Sequence, residues 1–258
     1  MINPSFIAVA GPCGSGKTTW IQQCLKDKTA PLFYFYPGLD TISVDLMQVG
    51  YRFPGVQVIP DQQAPQVFSS LPDGAVVYFE LGFHLNLESP LLSALPCHQV
   101  AVLPPHLQES EWHEWADEIC LGNDIAIPDA AKPPELWHAP LQGQVFDPPS
   151  LEAILTELTE GAYGKVHRLK GIFEMPDGQA LYIDFVAGLE GIEYTELNIP
   201  RWLEGRPNRY SGIEVMGYNL EQDLMAQTLL DGSLADDVIA YYQQQYKTLN
   251  PDEEVISA

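Results

Sequence analysis

The sequence predicts an α/β chain built on a parallel sheet with flanking helices, followed by a smaller α+β domain. Three observations predict it. The short apolar run Phe6 to Ala10 is followed by a glycine-rich loop and a helical stretch. Further apolar runs alternate with helical segments over the first half, as parallel sheets require. Past residue 130 strand-like runs follow one another with few helices between them.

The elements take their order from these patterns. Phe6 to Ala10 has the continuous apolar character of a buried parallel strand. Thr18 to Leu25 reads as a helix, Leu32 to Tyr36 as a second strand and Val56 to Ile59 as a third. Ala75 to Phe79 is an apolar strand ending on Glu80; Gln99 to Leu103 and Glu118 to Leu121 are two more, with a helix around Leu107 to Ala116. Prolines crowd residues 131–150, where periodic apolar positions are few, so the segment reads as a linker. A helix at Leu151 to Leu158 follows, then strands at Val166 to Glu174, Ala180 to Val186, Glu193 to Asn198 and Gly212 to Met216, and a helix at Leu220 to Leu230. The expected division is thus 1–130, a linker at 131–150, an α+β domain at 151–232 and an acidic helical tail at 233–258. Val238, Tyr242, Tyr246 and Leu249 give the tail an apolar stripe. It docks on its own chain or on a partner; the spacing does not separate the two.

Bulk properties narrow the function. Thirty-five acidic against twelve basic residues give a net charge of −23, a field that repels nucleic acid and anionic lipid. No apolar run approaches a membrane span. Four cysteines without a C-x-x-C pair suit a reducing interior, and a cytoplasmic location is expected.

The chemistry concentrates in Gly11-Pro12-Cys13-Gly14-Ser15-Gly16-Lys17-Thr18, set between a strand and a helix. Glycines let backbone N–H groups turn toward phosphates, and the helix N-terminus points at the same anion. This is a P-loop, expected to bind GTP or ATP through Gly11, Gly14, Ser15, Gly16, Lys17, Thr18 and Thr19. Lys17 reaches the β- and γ-phosphates, and Thr18 offers its hydroxyl to Mg²⁺. The loop also calls for a strand-end acid near the metal, for which Glu80 is the candidate. Asp40 and Asp45, after the second strand, are further candidates for the metal shell. The histidines (84, 98, 106, 113, 138 and 167) lack metal-ligand spacing. Half of the twelve basic residues, Lys165, Arg168, Lys170, Arg201, Arg206 and Arg209, fall in the second domain, either as an anion patch or as partners of the many carboxylates.

Four features together resemble the CobW-type P-loop GTPases. These are the loop continued as Lys17-Thr18-Thr19, Glu80 after its apolar strand, the run Arg168-Leu169-Lys170-Gly171, and the closing Met216-Gly217-Tyr218-Asn219-Leu220. The resemblance implies slow Mg²⁺-dependent nucleotide hydrolysis, catalysed with Lys17 and Glu80. The nucleotide state would control a protein partner or metal delivery through a C-terminal domain. Several positions depart from the family. Its C-x-C-C metal motif is absent, since no cysteine lies between Cys24 and Cys97, so a thiolate site of that kind is excluded. Its guanine-reading Asn-Lys-x-Asp element is replaced by Gly122-Asn123-Asp124-Ile125, leaving Asp124 as the candidate base contact. Gly82 falls one position early and Pro104 stands where a strand-end Asp is usual. A binding or regulatory module with little turnover is the alternative these departures leave open.

Overall fold

The structure, a computed structural model, describes residues 3–26, 29–38, 42–82, 85, 87, 88, 92, 96–127 and 132–250. Asp40, His84 and the end of the tail from residue 251 lie outside them. The chain divides into two compact units, Met1–Ile127 and Pro128–Ala258.

The first unit is a six-stranded, wholly parallel sheet. Its strands are β1 (Ser5–Ala10), β2 (Leu32–Phe35), β3 (Val56–Ile59), β4 (Val76–Glu80), β5 (Cys97–Leu103) and β6 (Glu118–Leu121), in the order β3-β2-β4-β1-β5-β6. Alternation along the strands supplies two apolar faces. Val9, Tyr34, Val76, Tyr78 and Val102 pack against Ile21 and Leu25 of helix α1 (Lys17–Leu25) and Leu46 and Val49 of α2 (Val44–Arg52). Ala8, Ala10, Phe33, Phe35, Val77 and Phe79 face the other way. Ala64 and Phe68 of α3 (Ala64–Phe68), with Trp112 and Trp115 of α4 (Glu111–Trp115), cover that side. Helices on both faces of a parallel sheet, with the loop after β1, make this the fold of a P-loop NTPase. β1 sits between β4 and β5, so the chain leaves it toward one side and returns on the other. Such a switch point opens a crevice at the carboxyl ends of the strands.

The second unit is a five-stranded antiparallel sheet with helices. Strands β7 (Glu135–Pro140), β8 (Lys165–Glu174), β9 (Ala180–Val186), β10 (Ile192–Glu196) and β11 (Gly212–Tyr218) lie in the order β10-β9-β8-β11-β7. Helices α5 (Pro148–Thr159) and α6 (Gln222–Asp231) supply Leu151, Ile154, Leu155, Leu158, Met225 and Leu229 to a core shared with Leu169, Phe173, Ile183, Ile213 and Val215. Two corrections arise here. Residues 135–140, read as linker because of the surrounding prolines, form β7. As an edge strand it tolerates Pro140, whose missing N–H costs no ladder bond. The tail forms α7 (Asp236–Leu249) and buries Ile239 and Gln243, whereas Leu249 is exposed. Gln243 ties it to its own unit, donating to the Gly205 carbonyl at 2.8 Å and accepting from the Gly205 N–H at 2.8 Å. The buried stripe therefore falls one position away from the one expected.

Five of the six clustered basic residues are paired within this unit: Arg168 with Asp184, Lys170 with Glu214, Arg201 with Asp177, Arg206 with Asp236 and Arg209 with Glu174. They hold carboxylates rather than forming an anion patch. Among the described residues, no helix is long and apolar enough to cross a membrane.

Candidate phosphate and metal site

The loop between β1 and α1 takes its shape from its glycines. Gly11, Gly14 and Gly16 have φ of 143°, 84° and 100°, values that side chains rarely adopt. A Cβ at Gly11 would also collide with the Val102 carbonyl oxygen. Loop carbonyls are turned onto protein donors. Lys17, a residue 7% exposed, donates from Nζ to the carbonyls of Gly11 and Pro12, each at 3.0 Å. Asn123, just past β6, donates its side-chain amide to the Gly14 carbonyl at 2.8 Å and its backbone N–H to that of Ser15 at 2.9 Å. Carbonyls facing protein leave the loop arranged as an anion nest. Gly122 makes this approach possible, because a Cβ there would strike the Ser15 carbonyl.

Gly16 caps α1 without a side chain and its first turn holds no acid. By contrast, Ser43 caps α2, whose first turn carries Asp45, and Asp147 caps α5. The first N–H groups of α1 are thus left without a side-chain cap at the loop. Ser15 adds a buried hydroxyl that has no hydrogen-bond partner among the described residues.

Glu80 ends β4 at 3% exposure. Thr18 Oγ1 donates to its Oε1 at 2.7 Å, and the Tyr34 hydroxyl donates to its Oε2 at 2.8 Å. The register explains the meeting. Tyr34 pairs with Tyr78, so Glu80, two residues on, points to the same face. α1 covers that face and brings Thr18 to it. Asp45, 1% exposed in the first turn of α2, is close enough for its charge to act on Tyr34. Burial first, then Glu80 and Asp45, push the Tyr34 hydroxyl well above its ordinary pKa, so it stays a donor. Lys17, Thr18, Glu80 and Asp45 therefore gather at one end of the sheet. Thr19 follows on α1 with an exposed side chain.

Asp124 stands apart. Its Oδ1 lies 2.7 Å from His106 Nδ1, both side chains being largely exposed. His106 belongs to the loop after β5 and Asp124 to the loop after β6, at the same carboxyl end of the sheet as Gly11–Thr18.

No protein-family model matches the chain, and no curated protein sequence does. Two solved structures are similar to it. One is the Zn(II)-bound YjiA GTPase from E. coli, at 10% identity, covering 90% of this chain and 99% of that one with a TM-score of 0.32. The other is a Zn(II)-bound triple mutant of YjiA GTPase, at 11% identity with the same coverage and TM-score.

Sequence reasoning missed three residues here. In the sequence Tyr34 reads as part of an apolar strand, the lone hydroxyl in Leu32-Phe33-Tyr34-Phe35 being its one signal. Asn123 has no role of its own in the sequence pattern, where Asp124 is the candidate base contact. His106 is one of the histidines without metal-ligand spacing, and nothing in the sequence links it to Asp124. Buried amides also join the two helices of this face: Gln22 Nε2 donates to Gln48 Oε1 at 2.7 Å, and Arg52 donates to Gln22 Oε1 at 2.9 Å.

Proposed function

We propose that the first unit binds a nucleoside triphosphate, GTP or ATP, with Mg²⁺ and hydrolyses it slowly. The observation that carries the reading is the 2.7 Å hydrogen bond from Thr18 to Glu80, made at the uncapped start of the loop helix beside Lys17. It joins the hydroxyl and the carboxylate that a P-loop offers to a divalent cation.

The residues fit both ligands. Mg²⁺ takes hard oxygen ligands and few of them from protein, and Thr18, Glu80 and Asp45 supply oxygens of that kind. When bound, the metal would neutralise charge on the phosphate oxygens. Gly11 to Thr19 would hold the phosphates, the orphan Ser15 hydroxyl gaining an acceptor, with Lys17 exchanging its carbonyl partners for phosphate oxygens. Asp124 would meet the base. The nucleotide state would then alter how the second unit engages a protein partner; metal delivery is a further role that the CobW-type resemblance implies.

A second reading, binding with little turnover, is favoured by Glu80. Both its oxygens accept hydrogen bonds and it is almost fully buried. That suits holding a metal shell better than activating water.

Phosphate release from GTP and ATP by the wild type and Lys17→Ala tests the proposal. Wild-type turnover well above the variant's supports hydrolysis. Nucleotide binding that Lys17→Ala weakens, with equal and negligible turnover, leaves the binding module. No binding at all removes both.

A further inference from the structure

Strand β2 reads Leu-Phe-Tyr-Phe, and all four side chains are buried. Tyr34 is fully buried, and phenylalanine at this position would fill the same space with no hydroxyl to satisfy. The hydroxyl makes one short bond, 2.8 Å to Glu80 Oε2, while Thr18 holds Oε1. The two donors approach from different elements, a neighbouring strand and the helix after the loop. Together they fix the plane of the carboxylate.

Thr18 is the partner expected to turn to a cation when one binds. Tyr34 lies in the sheet beneath and has no such second task, so its bond can persist in both situations. A carboxylate held by one permanent donor keeps its other oxygen aimed at the loop. Without that donor, a carboxylate at 3% exposure would lose half its hydrogen bonding from these two partners and could rotate away.

From this geometry we infer that Tyr34 is a positioning residue that orients Glu80 toward a loop-bound Mg²⁺, setting the metal dependence of nucleotide binding. The inference rests on the nucleotide reading above and goes beyond it by naming the residue that sets the acid's geometry. Tyr34 touches neither phosphate nor metal; it acts through Glu80.

The experiment is a titration of the full chain with fluorescent mant-GTP and mant-ATP, in excess Mg²⁺ and in EDTA. It compares wild type, Tyr34→Phe, Glu80→Gln and the double variant. Tyr34→Phe is expected to weaken binding about tenfold in Mg²⁺, the size of one hydrogen bond to a charged group, and to stay within about twofold in EDTA. In the Glu80→Gln background Tyr34→Phe should change the metal dependence no further. That pair of variants carries the test if Tyr34→Phe alone does not fold. Equal losses with and without Mg²⁺ would reveal a purely structural role and overturn the inference. So would an unchanged metal dependence, or an effect that survives in the Glu80→Gln background. A wild type that binds neither probe overturns the nucleotide reading and this inference together. A wild type whose binding depends on Mg²⁺, beside a Tyr34→Phe variant that behaves identically, overturns this inference alone.

Discussion

The side-chain amide of Asn123 donates to the carbonyl of Gly14 at 2.8 Å, across 109 residues of chain. With the backbone bond from Asn123 to Ser15, it ties the end of β6 to the loop after β1. Asn123→Ala keeps the backbone bond and loses the side-chain one. A hydrogen bond of this kind contributes about 0.5–1.5 kcal/mol, so nucleotide affinity should fall about 2- to 10-fold with little change in the melting temperature. Calorimetric titration with ADP and GDP measures it. An affinity equal to wild type for both would show that the tether does not shape the loop.

Gly122 and Gly55 should respond oppositely to alanine. A Cβ at Gly122 meets the Ser15 carbonyl, and Val102 Cγ1 at 2.9 Å; at Gly55 it meets nothing within 4 Å. Gly122→Ala should cost about 1–3 kcal/mol through overpacking. Gly55→Ala, whose φ is not in the left-handed region, should add about 0.4–1 kcal/mol by restricting the unfolded chain. Urea unfolding midpoints compare the two, and a shift of the same sign in both would contradict the packing described.

Asp124 and His106 form an exposed pair at 2.7 Å. If Asp124 reads the base, the imidazole competes with guanine for its carboxylate. His106→Ala should then raise the preference for GTP over ATP about 3- to 10-fold, and Asp124→Ala should abolish that gain. Competition of unlabelled GTP and ATP against one fluorescent nucleotide reads the ratio. A ratio that neither substitution moves would place Asp124 away from the base.

Glu174 is fully buried, and Arg209 clasps both its oxygens, at 2.6 and 2.7 Å. Burial raises the carboxyl pKa and Arg209 pulls it back down. Arg209→Ala should cost about 3–5 kcal/mol at neutral pH by leaving a buried charge unpaired. Its folded state would hold a proton that the unfolded chain releases. Stability therefore falls as pH rises from the ordinary carboxyl range through the raised folded value. The deficit should be smaller at pH 5 than at pH 7, and the added change Glu174→Gln should remove that dependence. Urea unfolding at the two pH values decides it; a deficit that grows on acidification would contradict the assignment.

Much of this architecture was legible because local signals carried it. The loop residues need positive φ and a strand before them, and the glycine-rich run Gly11 to Thr18 directly follows an apolar strand. Glu80 stands out because it closes the wholly apolar run Ala75 to Phe79, all of it buried. What escaped was contact between distant segments. Tyr34 meets Glu80 through strand register, and Asn123 meets Gly14 through sheet order; neither register nor order is encoded at short range. Strand β7 was hidden for another reason. Prolines argue against a strand unless it lies at an edge, and edge position is known only once the sheet is assembled.

The placement of β1 between β4 and β5 has a consequence for synthesis. Its nearest neighbour in the chain, β2, does not pair with it, and its first partner begins about 70 residues later at Val76. At about 5–20 residues per second, the first strand emerges and waits about 4–14 s before either of its edges can be covered. An apolar strand with both edges open is a template for pairing with other chains. Translation halted before Val76 would release that template permanently, and a halt between β4 and Cys97 would leave the β5-facing edge open. The strand that carries the phosphate loop is thus made well before either of the strands that cover its edges.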